Sequence, residues 1–313
     1  MDYTELGETG LAVSALSLGA GGGSKLGLNS GRSETEAIAV VERAIEHGIT
    51  TFDTAPVYDT EPIIGAAIAD RPRDEFVVST KFSLYEDGDL RPANELGPSL
   101  DASCERLGTD VIDIYHLHGV NPGDYEEAAD RYLSGLHDLK DDGRIRAVGI
   151  TETTGADPGH EVLSKAVEDP WDVMMVGFNL LNHSARDRVF DPAASRGIGI
   201  MGMIPVRRAL NDPALLAETV ADLIESDEID PTLVDPADPF DVLFENGHVD
   251  SVYEAAYRFA YHEPAIDTLL TGTGNPDHLD ANVAAVATGP LPEEAIRTIE
   301  ERFGDVVSKN GNA

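Results

Sequence analysis

The chain has 313 residues, 42% of them hydrophobic, which is enough for one large α/β barrel or two average domains with a full core. Its 58 acidic and 22 basic side chains give a formal net charge of -36, which excludes the clustered basic surface that nucleic acid or an anionic membrane requires. A single cysteine, Cys104, excludes an intrachain disulfide, and no stretch approaches the ~18 apolar residues of a membrane span. The acidity is spread along the chain rather than packed into one tail, and lysine occurs only at Lys25, Lys81, Lys140, Lys165 and Lys309. Dispersed acidity of this kind suits high salt, where screening weakens self-repulsion, so a halophilic source is expected. The opening MDYTELGETG lacks a basic leader and an apolar run, so a cytoplasmic protein is expected.

In chain order, YTELGETGLAVSALSLGA predicts a short hairpin turning near Gly7 to Gly10, then a first strand ending at Gly19. GAGGGSKLGLNSG predicts a flexible loop. Ser33 with Glu36 is a capping-box pattern opening a helix, which Ile38, Val41 and Ile45 make one-faced and Gly48 ends. GITTFDTAPVY then predicts a strand ending at Asp53 and a loop carrying Tyr58. The alternation continues: helix EPIIGAAIA, strand EFVVSTKF, helix ANELGPSLDASCERLG with a proline irregularity, strand VIDIYHLHG and a long helix closed by Gly143. Next come strand IRAVGIT, helix GHEVLSKAVED, strand DVMMVGFN, helix RDRVFDPAASRG and strand IGIMGMIPV. After helix ALLAETVADLIES, an excursion rich in proline, aspartate and glycine runs from Asp227 to Asp250. Helix VYEAAYRFAYH, strand IDTLLTGT, helix NPDHLDANVAAVA and an extra helix EEAIRTIEERFG complete the chain.

Counted from Gly19, this pattern of eight strands, each followed by a helix, predicts a single (β/α)8 barrel over residues 1–313, with an N-terminal β-hairpin and a C-terminal extra helix. A doubly wound open sheet is the rival. Its G-x-G-x-x-G turn is missing, because Gly19 to Gly23 lead into a loop rather than a helix.

Three successive predicted strands end in chemistry: Asp53 with Tyr58 on the next loop, Lys81, and His118. A parallel barrel gathers such ends at one face. Alone, each has an ordinary reading: a cap, a packed aromatic, a solvated charge, a core histidine. Together they can protonate a carbonyl oxygen. A phenol has a pKa of about 10, a neighbouring ammonium favours the phenolate, a carboxylate holds the ammonium, and an imidazole orients the substrate oxygen. His116 and His118 share a strand face, and with His183 they could suggest a metal. No cysteine or acid completes a ligand set, so no metal is expected. Arg207 and Arg208 follow the seventh strand, where barrels often bind phosphate; the alternative is an ordinary surface pair.

This constellation resembles the aldo-keto reductases, whose tetrad is Asp, Tyr, Lys and His in this order, and the resemblance runs nearly the whole chain. It implies an oxidoreductase that moves a hydride between NADP or NAD and a small carbonyl or sugar, with Tyr58 as general acid and base. By position in the family pattern, Gly19, Thr151, Met175 and Met203 would surround the nicotinamide. Gly272, Thr273, His278 and Asn282, in TGTGNPDHLDANVAA, would hold the adenosine end. Thr151-Glu152 stand where the family has serine-asparagine, Met175 where it has glutamine, and Met203 where an aromatic stacks on the ring. Gly272 and His278 stand where strong binders of the 2′-phosphate carry lysine and arginine, which weakens a strict NADP dependence. Tyr85, Tyr125, Phe178 and the 227–250 excursion are expected to wall the substrate pocket. An acidic rim favours neutral carbonyls or sugars, and the chain looks closer to relatives that oxidise aldoses to lactones. A second implication of the same family is a cofactor-sensing subunit that binds the dinucleotide without turnover.

Overall fold

The computed structural model describes residues 1–244, 247 and 249–312. Its strands, in chain order, are β1 (Tyr3–Glu5), β2 (Ala12–Ser14), β3 (Leu16–Gly19), β4 (Thr51–Asp53), β5 (Val77–Ser83), β6 (Tyr85–Glu86), β7 (Asp89–Leu90), β8 (Ile112–Val120), β9 (Ile145–Glu152), β10 (Val173–Gly177), β11 (Gly199–Met203) and β12 (Thr268–Thr271). Eight of them, β3, β4, β5, β8, β9, β10, β11 and β12, close into one parallel barrel. Helices pack around it, as the alternating pattern requires. The chain is therefore a (β/α)8 barrel. Strands β6 and β7 form a small antiparallel ribbon after β5 that the sequence reading does not contain.

Strand periodicity decides what faces the barrel interior. Along β5, Val77, Ser79 and Lys81 alternate with Val78, Thr80 and Phe82. Val77 joins the interior cluster of Ile114, Ala147, Val173, Met175 and Met201, while Val78 and Phe82 pack in the layer that includes the helices. The same parity places Asp53 inward on β4 and His116 and His118 inward on β8. Leu6, Leu11 and Val13 from the N-terminal hairpin plug the floor of the barrel, each at most 1% exposed. Gly149 on β9 makes room for His116, since a Cβ there would stand 2.2 Å from its Nδ1. The imidazole thus packs one layer below His118.

The first helix, Glu34–Glu46, carries the expected box: Ser33 N–H donates to Glu36 Oε2 at 2.8 Å, and Glu36 N–H donates to Ser33 Oγ at 3.3 Å. Its buried face is Ala37, Val40, Val41 and Ala44, with Ile38 and Ile45 on the flank. The expected irregularity in ANELGPSLDASCERLG is a 3-10 turn, Ala93–Glu95, that gives way to α-helix just before Pro98. Pro98 itself lies in the first turn of helix Leu96–Leu107, where a missing N–H leaves no bond unmade. RDRVFDPAASRG is not one regular helix. A π-helical turn, Arg186–Phe190, passes into a short helix, Asp191–Ala194, at Pro192, whose ring cannot continue the i→i-4 ladder. Within the excursion, Phe240 packs on Phe303 of the terminal helix Glu293–Phe303, ring centroids 5.2 Å apart. Residues 245, 246 and 248 of that excursion lie outside the described residues. Among the described residues no helix is long and apolar enough to cross a membrane.

Candidate active site

The register of β4, β5 and β8 brings the polar strand ends together: Asp53 pairs with Ser79, Lys81 with His116, and Ser83 with His118. Lys81 is 1% exposed and Asp53 3%. The Lys81 ammonium donates to both Asp53 carboxylate oxygens and to the Thr54 carbonyl, all at 2.7 Å. Ser79 Oγ donates to Asp53 Oδ1 at 2.8 Å. A buried charge pair with its remaining hydrogen-bonding capacity met in this way is stable as a unit and costly to break on one side. Burial works against the ammonium, but Asp53 and Tyr58 outweigh it and hold Lys81 above its usual range.

Tyr58 follows β4 in a one-turn 3-10 helix, Pro56–Tyr58. Its hydroxyl lies 3.0 Å from His118 Nε2, the two rings meet edge to face, and Lys81 Nζ stands 5.0 Å from the phenol centroid. The phenol and the amine are therefore neighbours, but only Tyr58 and Asp53 line the adjoining cleft; Lys81 and His118 touch them without lining it. Burial pushes the phenol above its ordinary value; Lys81 pulls it down, and Asp53 opposes Lys81. The net direction is the reverse of the lowering expected from the ammonium alone, because the phenolate is desolvated and much of the ammonium's field is cancelled by Asp53. Burial, aided by Lys81, brings His118 down to about 3, so its ring is neutral at ordinary pH.

A cleft of about 720 Å³ opens on this group. Asp53 and Tyr58 line it, as do Gly19, Met175, Met203, Arg207, Gly272, Thr273, His278 and Asn282. Gly21 rests on the Tyr58 ring: a Cβ there would stand 2.5 Å from the ring edge, so this glycine permits the close approach. The loop after Gly19 is accordingly less featureless than its composition suggests. Its 3-10 segment Lys25–Ser30 is pinned by Lys25 Nζ to the Val57 carbonyl at 3.1 Å. Ile204, directly after β11, holds φ at +57°, an uncommon conformation for a β-branched residue, and lines the cleft.

Two expected cofactor residues do not line the cleft. Thr151 spends its hydroxyl accepting from Gly119 N–H at 2.7 Å, which fixes the backbone next to His118. Arg208 opens the short helix Arg208–Asn211 and is exposed. Glu152 is turned away as well, bound to His160 Nδ1 at 2.9 Å and to Gly177 N–H at 2.8 Å. The expected substrate walls also lie elsewhere. Phe178 is fully buried and stacks on Phe259, Tyr125 bonds to Asp169 and Trp171, and Tyr85 bonds to Asp124. No described residue of the 227–250 excursion lines the cleft. Sequence reasoning missed Asn211, Ser251, Tyr253 and Tyr257, which do line it. Ser251, Tyr253 and Tyr257 had only the signal of position, after the excursion and on helix Val252–Tyr261, and Asn211 only that of closing the short helix Arg208–Asn211.

The cleft fits an extended dinucleotide. Its volume lies in the range of small-molecule and cofactor sites, glycines allow close approach, and one guanidinium reaches the wall. A parallel barrel whose strand ends carry a buried Asp-Lys pair, a tyrosine and a neutral histidine beside such a cleft defines a class of oxidoreductase barrels. Residues 17–302 match the model of the Aldo/keto reductase family. The chain is 31% identical over 217 residues to an L-galactose dehydrogenase of Arabidopsis thaliana, covering 67% of each protein. It is 32% identical over 222 residues to a D-threo-aldose 1-dehydrogenase of a Pseudomonas species, 61% of this chain and 65% of that one. The apo form of aldo-keto reductase AKR11C1 from Bacillus halodurans superposes with a TM-score of 0.73 at 23% identity over all of both chains, a likeness of fold. The chain belongs to the aldo/keto reductase family and is an oxidoreductase.

Proposed function

We propose that the chain interconverts a carbonyl and an alcohol with NAD or NADP, and that Tyr58 is the general acid and base. The observation that carries this reading is the Tyr58 hydroxyl, held 3.0 Å from a neutral imidazole and beside the Lys81–Asp53 pair at the wall of the cleft. A nicotinamide ring bound there supplies or accepts the hydride. In reduction, Tyr58 donates its proton to the carbonyl oxygen while His118 orients that oxygen. Lys81 stabilises the phenolate left behind, and Asp53 fixes the ammonium. In oxidation Tyr58 takes the alcohol proton. Burial holds the phenol above its usual value, so it carries its proton at neutral pH but gives it up less readily; the field of Lys81, which stabilises the phenolate, works against that and is what makes donation feasible.

Met175, Met203 and Leu270 give the inner cleft an apolar wall, so the ring is held more by packing than by hydrogen bonds. Arg207 is the pyrophosphate contact in this reading. Toward the adenosine end the lining offers Gly272, Thr273, His278 and Asn282 and no lysine or arginine, so dependence on NADP is not strict. Neutral aldoses are the preferred substrates. The acidic surface disfavours anions, and two of the relatives above are named as sugar dehydrogenases. The same charge is read as adaptation to high salt.

The test follows nicotinamide absorbance with NAD and NADP against aldoses and simple aldehydes in molar KCl. Tyr58→Phe should lower kcat by roughly 10²–10⁴ while leaving cofactor affinity intact. Undiminished turnover in that variant refutes the acid-base role. Cofactor binding without turnover in the wild type would instead favour a cofactor-sensing subunit.

A further inference from the structure

The arginines of this chain are mostly paired with carboxylates, as an excess of 58 acids over 22 bases makes easy. Arg43, Arg73, Arg91, Arg106, Arg186 and Arg302 are examples. Arg207, which lines the cleft, is held differently. Its Nε donates at 2.9 Å to the side-chain oxygen of Asn312, a neutral amide, and among the described residues no carboxylate lies within ion-pair distance of its guanidinium. A neutral partner fixes the long side chain without cancelling its charge. Using Nε for the anchor leaves both terminal nitrogens for another partner. One of them, Nη1, points along the glycine loop, 3.6 Å from where a Cβ on Gly22 would stand.

Asn312 is itself fixed. Its amide nitrogen donates to Thr154 Oγ1 at 3.3 Å, and its backbone N–H to Asn310 Oδ1 at 3.2 Å. Residues 307–311 cross the rim over the loops that follow β9, β10 and β11. Glu228 accepts from the Val307 and Ser308 N–H groups at 2.8 and 2.9 Å. Asn182 and Asn179 donate to the Lys309 and Asn310 carbonyls at 3.0 and 3.1 Å. Asn310 donates to the Thr154 carbonyl at 2.7 Å, and Ala209 N–H to the Gly311 carbonyl at 3.0 Å. The last described turn of chain is thus stitched to three strand-end loops and finishes on the one arginine of the cleft wall.

We propose that Asn312 is a positioning residue for the diphosphate of the cofactor: it holds Arg207 in place while leaving its full charge for the ligand. The inference rests on the reading of Arg207 as the pyrophosphate contact. Preorganising the guanidinium spares the ligand the ordering of a flexible side chain, and in a protein of net charge -36 an uncancelled cation at a fixed point offsets the repulsion of a phosphate.

Calorimetric titration with NAD and with NADP tests it on Asn312→Ala, Asn312→Asp, Arg207→Ala and the Asn312→Ala/Arg207→Ala double variant, with Tm recorded for each. Asn312→Ala should weaken cofactor binding about tenfold, with kcat at saturating cofactor and Tm nearly unchanged. Asn312→Asp keeps an acceptor for Nε but adds a negative charge, so it should weaken binding at least as much. A role in packing alone predicts that Asp restores wild-type affinity, and that result overturns the proposal. In the Arg207→Ala background Asn312→Ala should add no further loss; additive losses overturn the coupling. Wild-type affinity in Asn312→Ala, with affinity lost in Arg207→Ala, sinks the role of Asn312 and leaves the proposed function standing. Wild-type affinity in Arg207→Ala sinks the phosphate reading itself.

Discussion

The two walls of the cleft are built in opposite ways. On β4, β5 and β8, Asp53, Ser79, Lys81 and His118 stand on strands, fixed by register, with Asp53 bound to Lys81 and Ser79; Tyr58 reaches His118 from the one-turn helix after β4. On β10, β11 and β12 the inward residues Met175, Met203 and Leu270 are apolar, and polar groups arrive on loops and helices. There Arg207 is held by Asn312, Asn282 by Tyr257 and Thr271, and Thr273 by the backbone of Asn275. In the proposed reading, the proton chemistry sits on the strand-fixed side and the grip on the cofactor on the side built from loops and helices. A change on the first wall should therefore cost stability and rate together, whereas one on the second should cost affinity alone.

The largest effect tests the strand-fixed wall. Lys81→Met leaves the Asp53 carboxylate buried without its counter-charge, which should cost about 3–5 kcal/mol of unfolding free energy and abolish turnover. Adding Asp53→Asn removes the uncompensated charge, so the double variant should recover most of the stability and none of the activity. Equal instability in the single and double variants, measured by denaturant titration in molar KCl, would mean that the pair is not what holds this wall.

The pH dependence sharpens the same point. Tyr58 is held above a phenol's usual value by burial, and oxidation needs the phenolate. Alcohol oxidation should climb through the alkaline range without levelling by pH 10, while carbonyl reduction declines only there. His118, held at about 3, should contribute no inflection near 6.5. An inflection there that vanishes in His118→Gln would show the imidazole to be ordinary and the wall wetter than its packing implies.

Each side also holds a buried histidine whose ring nitrogens lack hydrogen-bond partners among the described residues: His116 on β8 and His183 after β10. His183 meets the rings of Phe178 and Phe259. Burial, aided by Arg186, brings it down to about 4. A histidine depressed in the fold is protonated more readily in the unfolded chain, so it destabilises as pH falls from about 6.5 toward 4. The loss is about 3 kcal/mol by pH 4. His183→Leu should flatten the stability curve across that window; an unchanged slope would place the ring in a more polar setting than its neighbours allow.

What the sequence disclosed divides along the same line. Asp53, Lys81 and His118 end β-like runs, so strand parity and barrel closure suffice to bring them together; the local pattern carried the fold and this proximity, while the roles proposed for them and for Tyr58 came from the family resemblance. Ser33 with Glu36 carried a helix start in the same way. The other wall depends on contacts over long sequence separations, such as Asn312 with Arg207, Asn310 with Thr154, and Asn179 with Asn310. No periodicity reports those. Phe178 looked like a pocket wall because it follows a strand end, yet its ring turned to stack on Phe259. Thr151 stands at the expected strand end, but its hydroxyl is taken by Gly119. From the sequence the 227–250 excursion is expected to help wall the substrate pocket, yet none of its described residues lines the cleft. It is used instead to cover the terminal helix, through Phe240 on Phe303 and Arg302 on Asp241.

The smallest expected effect is the sharpest on the wall of loops and helices, because the twin arginines are indistinguishable by type and place in the sequence. The backbone separates them. Arg207 is extended, with φ -135° and ψ 173°, and lies along the cleft; Arg208 begins the next helical turn and faces solvent. Arg208→Ala should therefore leave cofactor Kd within about twofold and stability within about 0.5 kcal/mol, the usual range for an exposed site. General attraction from two nearby cations would make the two alanine variants equally weak and equally relieved by salt, since exposed charges are screened beyond about 10 Å at 0.1 M. A positioned contact makes them unequal, and the inequality should survive in molar KCl. Equal losses that fade together with salt would reduce this wall to a diffuse field and remove the contrast with the register-fixed side.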